Sequence, residues 1–150
     1  PKKPMPPFQK ILVPVDGSST SNKALDYALK LAQEDHSQVR ALHAIDELSY
    51  LSSYEYSGEV MATARKNGTQ VLQNAVLAAQ ALNVPTDTRL VDLPGQRLGQ
   101  TVADEAASWG ADLVVVGTHG RRGVGRVLLG SGAEQIVRMS PVAVLTVRGE

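Results

Sequence analysis

Short apolar runs alternate along this chain with longer segments whose apolar residues recur every three or four positions. Residues 11–15 and 113–116 are apolar throughout, which is the pattern of strands buried on both faces of a sheet. Residues 39–45, 86–91 and 142–147 have the composition of three further strands. The pattern therefore predicts five strands, numbered here in chain order.

The segments between the strands predict amphipathic helices. The first contains Ala24, Leu25, Ala28 and Leu29 at helical spacing, after turn and N-cap residues at 16–21. The other three are predicted at 59–82, with an interruption at Gly68, at 96–109, ended by Gly110, and at 131–139.

Strand and helix alternate throughout, which favours an open parallel sheet with helices on both faces. At 150 residues the chain suits one α/β domain; we assign residues 10–150 to it and residues 1–9 to a flexible tail. Winding in both directions from strand one places strands one and four side by side. Ligands bind beyond the carboxyl ends of strands at such a reversal of order, so the segments after these two strands form the candidate site.

Composition narrows the possible functions. The formal net charge is zero, which gives no support to a general attraction for nucleic acid or an anionic membrane. Cysteine is absent, which excludes disulfides, thiol catalysis and cysteinyl metal sites. No apolar run reaches the roughly 18 residues that span a bilayer, and residues 1–7 lack the apolar middle of a signal peptide. We expect a cytoplasmic protein that binds neither nucleic acid nor membrane.

The segment from Gly117 to Ser131 carries the strongest functional signal. It joins the fourth strand to the fourth helix and contains Gly117, Gly120 and Gly130. Backbone N–H groups of such a turn, together with a helix N-terminus, form an anion site, and the commonest such anion is a phosphate. We expect the glycines to permit close backbone approach and to adopt positive φ, and Ser131 to cap the helix.

Charged side chains accompany this expected phosphate site. Asp16 ends strand one with a carboxylate, which suits a ribose diol or a metal ion, and a turn or N-cap role fits the same position. His119 is expected to contribute its backbone, with a phosphate contact of its imidazole as an option. Arg121, Arg122 and Arg126 either neutralise a triphosphate or form the solvated tip of the loop.

The spacing Gly117-x2-Gly120-x9-Gly130-Ser131 resembles the ATP-binding signature of the universal stress protein family. Residues 13–18 resemble the first strand and turn of that family, residues 42–46 the end of its second strand, and residues 141–147 its last strand. The resemblance extends from Lys10 to Arg148. It implies a five-stranded parallel sheet in the order 3-2-1-4-5, Rossmann-like and similar to the adenine nucleotide alpha hydrolases. It also implies a homodimer and ATP, ADP or AMP as the ligand, with Mg²⁺ as an optional companion.

The resemblance further implies roles for individual residues. Asp16 would accept hydrogen bonds from the ribose hydroxyls and lie near any Mg²⁺ bound with the nucleotide. Pro14, Ala44 and Val116 would line the adenine slot. The phosphates would be held, largely by backbone N–H groups, by Gly117, His119, Gly120, Gly130 and Ser131, with Gly132 beside them.

One position departs from the family pattern. After Gly130 and Ser131, many nucleotide-binding members carry a larger residue and then a hydroxyl, whereas this chain has Gly132 and Ala133. We therefore expect one side-chain contact to phosphate to be missing, which affects affinity more than the existence of the site.

Motifs for catalysis are incomplete. Gly125-x4-Gly130 resembles half of a P-loop, but Ser131 stands where the lysine belongs, and the sequence offers no obvious general base. The sequence therefore favours an ATP-binding regulatory protein of the stress response, whose nucleotide-bound shape an unidentified protein partner recognises. The alternatives are a slow ATPase or nucleotide-activating enzyme of the same architecture, and a dimeric interaction module with weak or lost nucleotide binding.

The last strand predicts an assembly. It is expected at a sheet edge, yet residues 142–147 carry no charge, and bare apolar edges are normally paired or blunted. We expect it to pair with a second copy across a two-fold axis, and the alternative is coverage by the chain's own N-terminal tail. The residues expected at this interface are Val142, Val144 and Thr146.

The segment after the second strand contains Tyr50, Tyr54 and Tyr56. It leaves the strand close to the expected adenine slot, so it is a candidate lid or partner surface. A plain solvated loop is an equally good interpretation.

Overall fold

The protein folds around one parallel sheet. The computed structural model describes residues 8–45, 58–93, 95–118 and 129–149. Neighbouring strands run parallel in the order β3-β2-β1-β4-β5. The predicted α/β fold and strand order are confirmed, and β1 lies beside β4 where the order reverses. The strands are β1 (Lys10–Pro14), β2 (Gln38–Ala44), β3 (Thr86–Val91), β4 (Leu113–Gly117) and β5 (Ala143–Val147).

Helices cover both faces of the sheet, as predicted. On one face, α1 and α2 bury Ile11 and Val13 of β1 together with Leu29. On the other, α3 and α4 bury Leu12 and Ile136. Because successive strand residues point to opposite faces, β1 contributes to both core clusters. The helices in the described ranges are α1 (Ser19–Asp35), α2 (Glu59–Ala81), α3 (Leu98–Trp109) and α4 (Ser131–Met139).

Ordered packing begins before the predicted domain start at residue 10. Phe8 packs against the α1–α2 core, and its carbonyl accepts a hydrogen bond of 2.6 Å from Ser37 Oγ. The backbone N–H of Gln9 donates to the Asp112 carboxylate over 2.8 Å. Residues 8 and 9 are therefore part of the folded unit rather than of a flexible tail.

Two helices differ in detail from the sequence predictions. The expectation that Gly68 interrupts the second helix is wrong, because α2 is continuous from Glu59 to Ala81. The helix lies so close to β2 that a Cβ at Gly68 would stand 2.7 Å from His43 Cδ2. The third helix begins at Leu98 rather than at residue 96, because Arg97 has an extended backbone (φ −72°, ψ 151°). Gly110 ends it in the left-handed region (φ 80°), as predicted.

A charge network joins β2, β3 and α3 on the second face. Arg40 donates two hydrogen bonds to Asp87, with Nε–Oδ1 at 2.7 Å and a second nitrogen to Oδ2 at 2.9 Å, and a third to Glu105 Oε1 at 2.8 Å. The guanidinium also lies 4.6 Å from the centroid of the Trp109 ring. Its hydrogen bond to Asp87, above all, raises the pKa of Arg40 above its usual value. This cation is therefore fixed in its charged form at neutral pH.

Candidate functional site

The turn after β1 places Asp16 at the carboxyl edge of the sheet. Asp16 Oδ1 accepts a hydrogen bond of 2.9 Å from the backbone N–H of Ser18, and Gly17 has φ +83°. Ser18 then caps α1, because its Oγ accepts a hydrogen bond of 3.2 Å from the N–H of Ser21. The turn role of Asp16 is thus observed, and it is compatible with a carboxylate that also accepts from a ribose, which stays a prediction.

The end of β4 is packed tightly against α1. A Cβ at Gly117 would stand 2.7 Å from Thr20 Cγ2 and 3.0 Å from the Thr20 carbonyl oxygen. Gly117 therefore allows a close approach of α1, whereas the predicted approach of its backbone to a phosphate stays a prediction. The prediction of positive φ is wrong for Gly117, which is not among the positive-φ glycines, and for Gly130, whose φ is −67°.

The two ends of the glycine segment meet at Thr118. Its carbonyl accepts a hydrogen bond of 2.6 Å from the N–H of Gly130, and its own N–H donates to Val147 O over 2.9 Å. This pairing places the start of α4 directly beside the end of β4. The strand end and the helix N-terminus that the sequence predicted as parts of one anion site are therefore brought together.

Thr118 is a residue that the sequence predictions missed. It is 3% exposed, and its hydroxyl is buried without a hydrogen-bond partner in the part of the chain that the structure describes. Such an orphan hydroxyl is uncommon because leaving it unpaired costs about 1–3 kcal/mol. The available signal was a hydroxyl residue directly after a buried strand, at one of the variable positions of the glycine signature.

The start of α4 corrects the role predicted for Ser131. Gly130 is the N-cap (φ −67°, ψ 163°), and its carbonyl accepts the first helical hydrogen bond from Glu134 N at 2.9 Å. Ser131 is therefore the first helical residue and not the cap. The N–H groups of Ser131, Gly132 and Ala133 belong to the first turn, where no intrahelical acceptor exists.

The departure from the family pattern at Gly132 has a packing explanation. A Cβ at this position would stand 3.0 Å from Leu98 Cδ2 of α3. Since α3 and α4 share a core cluster with Leu98 packed against it, a larger residue at 132 requires this leucine to move. The absence of a side chain at Gly132 thus allows α3 and α4 to pack closely at this point.

The residues predicted for the adenine slot lie at three neighbouring strand ends. Pro14 and Ala44 end β1 and β2, and Val116 is the penultimate residue of β4. Val116 belongs to the α3–α4 core cluster together with Leu12 and Leu42. Because strand residues alternate between faces, Pro14, Ala44 and Val116 all belong to this one face. The structure therefore brings the three together.

Some predicted residues lie outside the described ranges. These are His119, Gly120, Arg121, Arg122 and Arg126 of the glycine segment, and Tyr50, Tyr54 and Tyr56 after β2. Among the residues that are described, no group of three or more His, Asp or Glu side chains is placed to hold a metal ion. No helix in those ranges is long and apolar enough to cross a membrane.

The predicted interface strand lies at the sheet edge, as expected. β5 pairs with β4 and occupies one end of the strand order. Val142 and Val144 are half-buried against the α3–α4 core, whereas Leu145 and Thr146 are exposed. Pairing of this edge with a second copy stays a prediction.

Comparison with known proteins identifies the family. Residues 7–148 match the model of the Universal stress protein family. The chain is 32% identical over 150 residues to universal stress protein YxiE of Bacillus subtilis, an alignment that covers 94% of this chain and 99% of that protein.

Solved structures share the fold. The structure of protein MJ0577 has a TM-score of 0.81 at 25% identity, covering 95% of this chain and 97% of the other. The universal stress protein from Archaeoglobus fulgidus, solved in complex with dAMP, has a TM-score of 0.71 at 18% identity, covering 93% and 97%. With the family model matching nearly the whole chain, the protein belongs to the universal stress protein family, which confirms the resemblance.

Proposed function

From this family membership, we propose that the chain binds an adenine nucleotide, with ATP as the expected ligand, and acts as a cytoplasmic regulatory protein of the stress response. One observation carries the proposal. The Asp16 turn, the end of β4 and the first turn of α4 converge where the strand order reverses, and the hydrogen bond from Gly130 N to Thr118 O closes the base of the glycine segment. This is where open parallel sheets bind ligands.

The residues present fit a nucleotide. In the proposal, the carboxylate of Asp16 accepts from ribose hydroxyls, and the adenine contacts Pro14, Ala44 and Val116. The backbone around Gly117 and Gly130 surrounds the phosphates, helped by the positive end of the α4 dipole. The remaining phosphate contacts come from His119, Gly120, Ser131 and Gly132.

The orphan hydroxyl of Thr118 supports the same location. It belongs to the residue at which the two ends of the glycine segment meet, it is buried, and no described residue accepts from it or donates to it. A polar group left unsatisfied in this way is expected where a ligand completes its hydrogen bonding. The Archaeoglobus fulgidus protein that was solved in complex with dAMP shares the fold with this chain. Because the likeness is one of fold alone, that complex does not identify the ligand of this chain.

The proposed role is to hold the nucleotide rather than to turn it over rapidly. A ligand that binds only the folded protein stabilises it by about 2.7 kcal/mol at a hundred times its dissociation constant. Occupancy can therefore favour one conformation, which a protein partner then recognises. The chemistry of the described side chains gives no reason to assign a catalytic residue.

We propose in addition a homodimer in which β5 pairs with its copy. The exposed side chains of Leu145 and Thr146 lie on an uncharged edge strand, and Val137 and Met139 of α4 are also exposed apolar residues, at 46% and 37%. Pairing the edge would satisfy its backbone groups and reduce the risk of uncontrolled strand addition.

Calorimetric titration with ATP, ADP and AMP tests the nucleotide proposal. Asp16→Ala should weaken ATP binding about tenfold or more, since hydrogen bonds to a charged group contribute about 1.5–3 kcal/mol. Asp26→Ala, which removes an exposed carboxylate of α1, is the matched control and should bind as the wild type does. Clear binding without phosphate release over hours supports the regulatory role, whereas release that disappears in Asp16→Ala would favour the slow ATPase. Equal affinity of both variants would exclude the assigned role of Asp16.

A further inference from the structure

The peptide bond between Val15 and Asp16 is held at both of its polar atoms. The carbonyl oxygen of Val15 lies 2.8 Å from Nδ1 of His43, and the N–H of Asp16 donates to Ser21 Oγ over 3.0 Å. One bond comes from β2 and the other from α1, so two different elements hold this single peptide.

The hydrogen bond between His43 and Val15 identifies the ring nitrogen that donates. A carbonyl oxygen only accepts hydrogen bonds, so Nδ1 of His43 must carry the proton. This side chain meets Val15 O where the register of β1 with β2 ends at the pair Pro14 and Leu42. The imidazole therefore supplies a donor at the first residue after the β1 strand.

The position of the His43 ring is set from its other side by α2. A Cβ at Gly68 would stand 2.7 Å from His43 Cδ2 and 3.1 Å from Nε2. The same helix reaches the following turn, since a Cβ at Gly17 would stand 3.1 Å from Val71 Cγ2. The ring is consequently packed between the backbone of α2 and the end of β1.

Fixing both atoms of this peptide fixes the starting point of the Asp16 side chain. The peptide group is planar, so hydrogen bonds at its oxygen and its nitrogen define the orientation of the whole plane. The Asp16 carboxylate is also anchored by the N–H of Ser18 at 2.9 Å. Without the His43 bond the plane would be held at its N–H alone, and we expect the carboxylate to shift.

We infer that His43 is a positioning residue for Asp16 and couples α2 to the nucleotide site. The inference rests on the proposed function, because it concerns how Asp16 is presented to the ribose. His43 itself touches no nucleotide in this account. Its contribution reaches the ligand only through the Val15–Asp16 peptide.

Two variants of similar shape separate this role from simple packing. In His43→Asn the amide nitrogen occupies the place of Nδ1 and can still donate to Val15 O, whereas His43→Leu has nearly the same outline without a donor. Loss of one hydrogen bond between Asp16 and the ligand corresponds to about a tenfold change in affinity, and this is the effect expected when Asp16 is displaced. We expect His43→Leu to bind ATP about tenfold more weakly than the wild type and His43→Asn to stay within about threefold.

The ribose hydroxyls supply a second readout that packing alone would not change. Each variant is titrated with ATP and with 2′,3′-dideoxy-ATP, which offers Asp16 no hydroxyl. The preference of the wild type for ATP should shrink in His43→Leu and persist in His43→Asn. Ser21→Ala, which releases the other end of the same peptide, should repeat the loss and decides the question if His43→Leu does not fold.

Other outcomes overturn the inference in distinguishable ways. Equal ATP affinity of wild type, His43→Leu and Ser21→Ala would show that the peptide needs neither hydrogen bond. Equal weakening of ATP and dideoxy-ATP would show that His43 acts on the site as a whole and not through Asp16. If the wild type binds neither nucleotide, the proposed function itself fails and the positioning role with it.

Discussion

The two ends of the sheet are built differently. Toward the strand starts, charged side chains find their partners inside the chain: Arg40 with Asp87 and Glu105, and the Asp112 carboxylate with the N–H groups of residues 9 and 10 at 2.8 and 3.0 Å. The strand ends also contain an ion pair, between Arg65 Nε and Asp92 Oδ2 at 2.6 Å, but there the chain in addition presents close-packed glycines and a buried hydroxyl with no partner among the described residues.

This difference separates stability from function along one set of strands. Internal ion pairs and hydrogen bonds at the strand starts hold β2, β3 and α3 together and gain nothing from a ligand. The strand ends keep polar groups whose hydrogen bonding a ligand can complete. Mutations at the strand starts should therefore change stability alone, whereas mutations at the strand ends should also change ligand affinity.

Arg40→Met should produce the largest loss of stability at the strand starts. It leaves the carboxylate of Glu105, which is 11% exposed, without its closest cation. Breaking a buried pair costs about 3–5 kcal/mol, and the 21% exposure of Arg40 places the expected loss near the lower end. Because the pKa of Arg40 is raised, its contribution is present at all pH values below its unfolded pKa and is lost only as pH rises through the folded one.

Urea unfolding and ATP titration of Arg40→Met check this prediction together. The free energy of unfolding should fall by about 3 kcal/mol, by a similar amount at pH 6 and pH 9, with ATP affinity unchanged. If Arg40→Met binds ATP more weakly under conditions in which it is fully folded, the two ends of the sheet are not independent.

Gly117→Ala should reduce both stability and binding. The added Cβ meets the side chain and the carbonyl of Thr20 at 2.7 and 3.0 Å, and overpacking of this kind costs about 1–3 kcal/mol. Gly132→Ala is the control, because its Cβ meets only the end of the flexible Leu98 side chain at 3.0 Å. Thermal unfolding should show a clearly larger loss for Gly117→Ala, and equal losses would contradict the packing given for β4.

Thr118→Val should have opposite effects on stability and on binding. Replacing an unpartnered buried hydroxyl by a methyl group should leave the ligand-free protein as stable or about 1 kcal/mol more stable, while weakening ATP binding. Thr101→Val is the matched control: Thr101 is 4% exposed, and its hydroxyl bonds Gln96 Oε1 at 3.0 Å. The control should lose about 1 kcal/mol and keep its affinity; the same result in both variants would remove the functional assignment of Thr118.

The smallest effect on folding is expected at the β5 edge. Thr146→Lys alters an exposed position, so the unfolding free energy should hardly change, while charge at the edge should prevent strand pairing. Light scattering should give a monomer mass near 16.0 kDa for this variant and about twice that for the wild type. Thr88→Lys on the opposite edge strand is the control and should remain dimeric; a monomeric wild type would exclude the β5 interface.

The architecture was predictable because it follows from periodicity. The unbroken apolar run at 113–116 could only be a strand buried on both faces, and all four residues are buried. The alternation of strands and helices then limited the possible topologies, and the site followed from the position of strands one and four.

Details that depend on two distant segments could not be predicted in this way. From sequence alone, Gly68 was expected to interrupt a helix. No neighbouring residue in the sequence indicates that the His43 side chain of β2 packs where a Cβ at Gly68 would lie. Gly117 read as a positive-φ turn residue, although it is required by its contact with Thr20. Thr118 and the His43 bond to Val15 O were missed for the same reason: each depends on which atoms face each other after folding.

Thermal unfolding of the wild type with and without MgATP tests the central claim most directly. The preparation is first shown by mass spectrometry to carry no nucleotide. At a hundred times the dissociation constant, ATP should stabilise the protein by about 2.7 kcal/mol, a rise of roughly 5–10 °C in the midpoint for a domain of this size. An unchanged midpoint at millimolar MgATP would contradict the assignment of the strand ends as a nucleotide site.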